Sequence, residues 1–147
     1  MASFLACNSS RNCGFSKAVK KEIYLPVDES RNRPTVSKQI NSEKSLLNFV
    51  RRLIAIRSEN PALSSAGRME ILYCRHKKAL VYLRQMKNNK IIIAMNPYNW
   101  PTQVKFKINS SISHHEVLLE KGVKIFIDGN DLTMDMKPRS LSVIKVS

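Results

Sequence analysis

Cysteine is scarce in this chain of 147 residues, and the cysteines present follow no ligand or disulfide pattern. They are Cys7, Cys13 and Cys74, an odd number without a Cys-x-x-Cys pair. Zinc sites built on thiolates need clustered ligands, and disulfide-stapled domains carry an even number of cysteines. We therefore expect free, reduced thiols and no metal bound through them.

Long apolar runs are absent as well. No stretch approaches the roughly 20 apolar residues that a helix needs to cross a bilayer. The first ten residues, MASFLACNSS, show no basic region followed by a long apolar stretch, as a secretory signal would. These absences predict a cytoplasmic protein without a membrane segment.

Acidic residues are few. Asp and Glu number 11 against 25 Lys and Arg, so the net charge is +14. Such an excess can mark a nucleic-acid surface or only a solvated one. The charges are dispersed: the basic runs RHKK (75–78) and KNNK (87–90) fall at expected hairpin turns, and the aromatic residues, 7% of the chain, do not interleave with them. Nucleic-acid binding therefore ranks below the other interpretations.

Catalytic motifs are also missing. Neither a Gly-rich phosphate loop nor a Gly-x-Ser-x-Gly sequence occurs. Glu116 and Glu120 fall on one face of one expected strand, which places them roughly 13 Å apart at about 3.3 Å per residue. Asp128 and Asp131 suit a turn, because Asp is an ordinary turn residue. We predict no catalytic residue from these carboxylates.

Metal and cofactor sites are not indicated either. Leu132 stands where a calcium loop beginning at Asp128 would need a third oxygen ligand. His76, His114 and His115 fall in expected loops without a carboxylate or cysteine at ligand spacing, so we expect solvated side chains. The sequence thus predicts neither a metal nor a cofactor.

The periodicity of residues 41–63 predicts a single helix. Asn41 or Ser42 can cap its first turn, and Pro61 ends it, so the helix should run from about residue 42 to residue 57. Apolar residues recur at helical spacing: Leu46, Leu47, Val50, Leu53 and Ile54. A helix this apolar needs a partner surface, or it will self-associate through this exposed face.

From residue 67 onward the period changes to two. The short runs MEILYC, ALVYLRQM, KIIIAMNP, QVKFKI, EVLLE, VKIFID, LTMDM and SLSVIKV predict about eight strands joined by turns, the third of them central. We predict a mainly β protein: an antiparallel β-sandwich over residues 67–147, preceded by one α-helix with a linker over residues 41–66. Residues 1–40 form a long irregular segment.

Several stretches resemble one known family. NCGFS at residues 12–16 is similar to the Asn-Ala-Gly-Phe-Ser of many α-glucosidases, and YLPVD at residues 24–28 follows it at the family's spacing. LIAIR, then PAL, resembles the last helix of a catalytic barrel, and the strands resemble the sandwich that follows it. The chain therefore resembles the C-terminal part of the α-amylase superfamily, glycoside hydrolase family 13, nearest the α-glucosidase, oligo-1,6-glucosidase and trehalose-synthase branch.

The resemblance has implications for function. It implies a retaining mechanism on α-glucosidic sugars, with two carboxyl groups about 5–5.5 Å apart. In the family these groups lie on earlier barrel strands, so none carries over to this chain. The resemblance implies that residues 1–40 are a loop over the barrel mouth, where Asn12 and Phe15 are the candidates for sugar contact. We expect a chain that is inactive alone and is active only if a separate barrel chain completes it.

Two alternatives from other classes stay open. One is an accessory carbohydrate-binding module, for which Tyr98, Trp100 and Phe106 are the clustered aromatic candidates. Rings packed on the sheet are the simpler interpretation of these three residues. The other is a basic RNA-binding module that uses the positive charge.

Overall fold

A computed structural model describes residues 12, 16–24, 30, 34–109 and 112–147. The chain divides into two compact units, residues 1–55 and residues 56–147, and the boundary falls inside the main helix. Within the described ranges, no helix is long and apolar enough to cross a membrane.

The first unit contains more helix than the sequence predicted. A 3-10 turn spans Lys20–Glu22, and a short helix α1 spans Val36–Ile40 in a segment expected to be irregular. The hydroxyl of Thr35 caps α1, because its oxygen accepts a hydrogen bond from the backbone N–H of Lys38 at 3.3 Å. Thr35 is buried. A Ser or Thr cap before a short polar run is a weak signal, which is why the sequence argument missed α1.

The main helix, α2, spans Leu46–Glu59 and begins later than predicted. Its cap is Ser45, whose hydroxyl accepts from the N–H of Asn48 at 3.2 Å, so the predicted caps Asn41 and Ser42 are wrong. Residues 41–45 instead form the turn between α1 and α2. The amide nitrogen of Asn48 donates back to the carbonyl oxygen of Ile40 at 2.9 Å and to that of Ser42 at 2.9 Å. This bracing fixes the turn and therefore the start of α2.

One face of α2 is exposed. Leu46, Val50 and Ile54 are 67%, 41% and 59% exposed, and their spacing of four places them in one row along the helix. Leu53, predicted to share this face, is half-buried. The second unit begins at Ile56, which is buried.

The second unit is a six-stranded antiparallel structure. It opens with a 3-10 turn, Pro61–Leu63, and the strands are β1 Arg68–Cys74, β2 Leu80–Met86, β3 Asn89–Asn96, β4 Thr102–Lys107, β5 His115–Asp128 and β6 Asp131–Val146. The predicted fold class, a mainly β, sandwich-like antiparallel domain, is confirmed. The residues that the structure describes form six strands rather than about eight.

The difference arises in β5 and β6, each of which the sequence argument had split in two. In β5 the split fell at Gly122, where φ is 74° and the pairing register shifts between Lys121 and Val123. In β6 it fell near Arg139, whose φ is 50°. Both interruptions are bends, since the two strands pair with each other on either side of them.

Because of these bends, the β5–β6 hairpin pairs with different strands along its length. The first half of β6 pairs with β4 and its second half pairs with β3, while β5 follows its other edge throughout. Side chains from both halves meet in one buried cluster that includes Leu132, Met134 and Met136 from before the bend and Ile144 from after it. This is how a single set of strands encloses a sandwich-like core.

The prediction that β3 is central is confirmed. Ile91, Ile92, Ile93 and Ala94 are all buried, although successive side chains point to opposite faces. The turn at Pro61–Leu63 contacts β2 and β3.

Polar contacts hold that turn on the sheet. The side-chain oxygen of Asn89 accepts from the N–H of Ala62 at 3.0 Å, and Nε of Arg84 donates to the carbonyl oxygen of Ala62 at 3.1 Å. Gly67 follows the turn, and a Cβ there would lie 2.1 Å from that same carbonyl oxygen.

Candidate functional surface

The most distinctive surface of the second unit is the aromatic loop, residues 96–101, between β3 and β4. Tyr98 and Trp100 stack with ring centroids 4.8 Å apart and planes inclined by 17°. Trp100 is 45% exposed, so one ring of the pair is open to solvent. The expectation that these rings pack on the sheet stays a prediction; the structure adds that Tyr98 and Trp100 stack on each other. Phe106, the third aromatic candidate, instead packs against the core.

Asn96 holds this loop in shape. Its amide nitrogen donates to the carbonyl oxygens of Trp100 at 2.8 Å and of Lys137 at 3.0 Å. Its amide oxygen accepts from the N–H of Tyr98 at 3.1 Å. Asn96 is 1% exposed. A buried side chain with all these partners makes the ring pair a preorganised feature.

Cationic residues border the aromatic loop on two sides. Nε1 of Trp100 donates to the carbonyl oxygen of Lys77 at 3.2 Å, which places the β1–β2 turn beside the ring. On the other side, Nε of Arg139 donates to the side-chain oxygen of Asn99 at 2.7 Å, and its backbone N–H donates to the carbonyl oxygen of Tyr98 at 2.9 Å. These two segments carry five exposed cationic side chains: Arg75, Lys77, Lys78, Lys137 and Arg139.

No carboxylate neutralises these three segments from within. Residues 75–79, 96–101 and 137–140 contain no Asp or Glu. We call the ring pair and the five cations the cationic aromatic platform. The sequence argument missed it because Lys77 and Lys137 are far from Trp100 along the chain, and no local motif links them.

A shallow groove lies at the bend of the long hairpin. Nε2 of Gln103 donates to a carboxylate oxygen of Asp135 at 2.7 Å, and both residues line the groove. Glu120, Lys124 and Lys137 line it as well. Cations and carboxylates alternate here, so the groove has no strong charge preference.

Of the four carboxylates weighed in the sequence, Asp128 and Asp131 lie opposite each other across the β5–β6 turn, whereas Glu116 and Glu120 do not pair. Glu116 lies opposite Lys145 and Glu120 lies opposite Ser142, two separate positions along β5. The DGND stretch forms the β5–β6 turn, with Gly129 at a φ of 57°. Asp131 there forms an exposed ion pair with Lys107 at 3.5 Å.

The histidines and the described cysteine are surface residues. His76 lies in the β1–β2 turn, and the backbone N–H of His114, which directly precedes β5, donates to the carbonyl oxygen of Ser147 at 3.1 Å. Cys74 is free and exposed, whereas Cys7 and Cys13 lie outside the described residues. Over the described part of the chain, no three His, Cys, Asp or Glu side chains come together as metal ligands would.

Of the two candidates for sugar contact, Asn12 and Phe15, the structure describes only Asn12. Phe15 lies outside the described residues. Asn12 has a φ of 52°, and its amide nitrogen lies within hydrogen-bond distance of Ser16 and of the carbonyl oxygen of Ala18, at 2.8 Å. These bonds engage the amide nitrogen of Asn12 within the chain itself. A role for Asn12 in sugar binding stays a prediction.

The fold and the surface together define an antiparallel β domain with a cationic aromatic loop. No family model matches the chain. Among curated proteins, a trehalose synthase/amylase from Mycolicibacterium smegmatis is 34% identical over 80 residues, which cover 52% of this chain and 13% of that protein. The trehalose synthase of Thermus thermophilus is 28% identical over 93 residues, covering 60% of this chain and 10% of that protein. The chain thus spans about a tenth of the length of these relatives.

Solved structures of related enzymes share the fold of this chain. A variant of isomaltulose synthase from Erwinia rhapontici, in complex with D-glucose, has a TM-score of 0.75 and 22% identity. The match covers 97% of this chain and 24% of that one. An α-amylase from H. orenii has a TM-score of 0.59 and 23% identity, covering 77% of this chain and 22% of that one. These findings confirm the predicted resemblance to the C-terminal region of glycoside hydrolase family 13, and the trehalose-synthase branch fits.

Proposed function

We propose that this chain is the C-terminal part of a sugar-converting enzyme of glycoside hydrolase family 13, and that its role is structural rather than catalytic. The sequence match to trehalose synthases carries the proposal. The complete enzyme would act on α-glucosidic sugars, with its catalytic carboxylates on a barrel. This chain would supply the barrel's last helix and the β domain beside it.

The arrangement of acidic residues supports a non-catalytic role. A retaining glycosidase needs two carboxyl groups about 5–5.5 Å apart. Glu116 and Glu120 share one strand with a register shift between them, and their partners lie three residues apart on β6, which corresponds to roughly 10 Å at about 3.3 Å per residue. They face different partners, Lys145 and Ser142, across the hairpin. Neither glutamate is placed to attack or to protonate a bond that the other also reaches.

The exposed row on α2 supports an apolar partner. Leu46, Val50 and Ile54 form a continuous apolar edge on a helix that is otherwise rich in polar residues. Fully burying a side chain of this size contributes about 1.5–3 kcal/mol. A barrel surface that covered all three would therefore bind this helix with a substantial hydrophobic contribution.

A chimera of a relative tests this role. In the trehalose synthase/amylase of Mycolicibacterium smegmatis, the aligned segment would be replaced by the matching segment of this chain. We expect a folded chimera that retains trehalose synthase activity, because the chain supplies an equivalent domain. A parallel chimera with the segment from the Mycobacterium tuberculosis relative, also 34% identical to this chain, calibrates the effect of the exchange itself. If the parallel chimera folds and the first does not, the proposal is wrong.

A further inference from the structure

We propose that the cationic aromatic platform binds single-stranded nucleic acid in a sequence-tolerant, salt-dependent manner. This inference rests on the second unit alone and does not depend on the proposed function. Aromatic and basic residues do not interleave along the sequence. In the folded domain the segments that carry them come together, since Nε1 of Trp100 donates to the backbone carbonyl of Lys77 and Nε of Arg139 donates to Asn99.

Trp100 provides a stacking surface. Its ring is supported on one side by Tyr98 at 4.8 Å and is 45% exposed, so a planar ligand can reach the indole. Every nucleobase has a flat π-face, so stacking on an aromatic side chain tolerates any sequence. The bonds made by Asn96 hold the indole in place before a ligand arrives. Binding a ligand should therefore cost little entropy for ordering this loop.

The five cations provide phosphate contacts. Arg75, Lys77 and Lys78 belong to the turn that bonds to Trp100, Lys137 and Arg139 belong to the segment that bonds to the rest of the loop, and all are exposed. The guanidinium of Arg75 lies 5.6 Å from the centre of the Tyr73 ring. A chain whose base stacks on Trp100 would place phosphates toward both groups. Because the three segments contain no carboxylate, nothing within them repels a phosphate.

The charge favours nucleic acid over a neutral glucan. A sugar ring can also stack on Trp100, but neutral hydroxyl groups gain nothing from a net charge of +5 on the platform. The polar side chains that could orient hydroxyl groups are already engaged: Asn96 binds the loop and Asn99 accepts from Arg139. The five cations of the platform suit an anionic chain, although the groove that Lys137 lines is also lined by Glu120 and Asp135.

The intrinsic emission of Trp100 gives a direct readout, since the chain contains a single tryptophan. The purified full chain would be titrated with a single-stranded dodecamer of thymidine and with one of uridine at several salt concentrations. We expect quenching of the Trp100 emission by both oligonucleotides and an affinity that falls steeply with salt. Maltoheptaose, a neutral chain of glucose rings, would be titrated in the same way.

Variants separate the platform from general positive charge. Lys78→Gln with Lys137→Gln removes two platform cations, and Lys87→Gln with Lys145→Gln removes two exposed cations at the opposite end of β3. We expect the first pair to lower the slope of log affinity against log salt by about 1.4, at roughly 0.7 for each lost contact to a single strand. The second pair should leave the slope nearly unchanged.

A labelled dodecamer, followed by fluorescence anisotropy, allows the ring itself to be tested. We expect Trp100→Ala to weaken binding roughly fivefold to a hundredfold at fixed salt, and Trp100→Phe to recover part of the loss because it keeps a π-face. The proposal is overturned by any of three results: equal slopes for the two lysine pairs, unchanged binding by Trp100→Ala with the fold intact, or quenching by maltoheptaose but not by the oligonucleotides.

Discussion

Ser140 and Ser142 lie two residues apart on β6 and are both buried, yet they differ in hydrogen bonding. The hydroxyl of Ser142 donates to the carbonyl oxygen of Leu119 at 3.2 Å. The hydroxyl of Ser140 has no partner among the residues that the structure describes. A buried polar group without a partner costs free energy, whereas a bonded one contributes modestly to stability.

Alanine at these two positions should therefore have opposite effects. We expect Ser142→Ala to lower the free energy of unfolding by about 1 kcal/mol, because it removes a buried hydrogen bond. Ser140→Ala should leave it unchanged or raise it by up to about 1 kcal/mol, because it removes an unpaired hydroxyl. Urea unfolding followed by circular dichroism measures both. Similar losses in the two variants would show that Ser140 is hydrogen-bonded after all.

The glycines make a second contrast. Gly67→Ala would place a Cβ 2.1 Å from the carbonyl oxygen of Ala62, a backbone atom that cannot move aside cheaply. We expect it to lower the free energy of unfolding by about 3 kcal/mol or more, as overpacking does at its upper end. Gly129→Ala meets no atom within 4 Å and suffers only from its φ of +57°, about 1–2 kcal/mol. Urea midpoints of the two variants, at equal m-values, would show which substitution destabilises more. A smaller loss of stability for Gly67→Ala than for Gly129→Ala would contradict the close packing of the turn on the sheet.

Asn96 should control the aromatic loop. Replacing it with alanine leaves the N–H of Tyr98 and the carbonyl oxygens of Trp100 and Lys137 without their partner. We expect a loss of about 2–4 kcal/mol in the free energy of unfolding, summed over these groups, and a red shift of Trp100 emission. Asn99→Ala is the control, since Asn99 is exposed and its oxygen accepts only from Arg139 among the bonds described here. An emission spectrum that is unchanged in Asn96→Ala would show that the loop is held by other contacts.

The apolar row of α2 should drive self-association when nothing else covers it. Ile54 is 59% exposed and Ala55, its neighbour, is also exposed. We expect Ile54→Lys to shift sedimentation velocity profiles toward monomer, because a charge replaces an apolar contact in the row. Ala55→Lys adds the same charge outside the row and should have little effect. If both variants dissociate equally, charge repulsion rather than the apolar row sets the association.

The period-two pattern was sufficient to predict the β domain, because strands with one buried face must alternate. KIIIAM also predicted a central strand, and Ile91 to Ala94 are all buried. The strand count was less predictable. Gly122 and Arg139 look like breaks in a sequence, and only tertiary pairing shows that the chain bends there without leaving the sheet.

The candidate surface was predictable only in part. Trp100 and Tyr98 were recognised as clustered aromatics, but their cations come from segments more than 20 residues away along the chain. Asn96 gave no signal, because a buried asparagine that holds a loop looks like any other turn residue in a sequence. Contacts between distant segments are the information that periodicity and motif spacing do not contain.

The most direct test of the proposed structural role is an assay of the purified chain with p-nitrophenyl α-glucoside, maltose and isomaltose. The account predicts no release of p-nitrophenol or glucose above the buffer control, because the proposal places the catalytic carboxylates of the complete enzyme on a barrel outside this chain. Release above background, abolished by Glu116→Gln, Glu120→Gln, Asp128→Asn or Asp131→Asn, would contradict it.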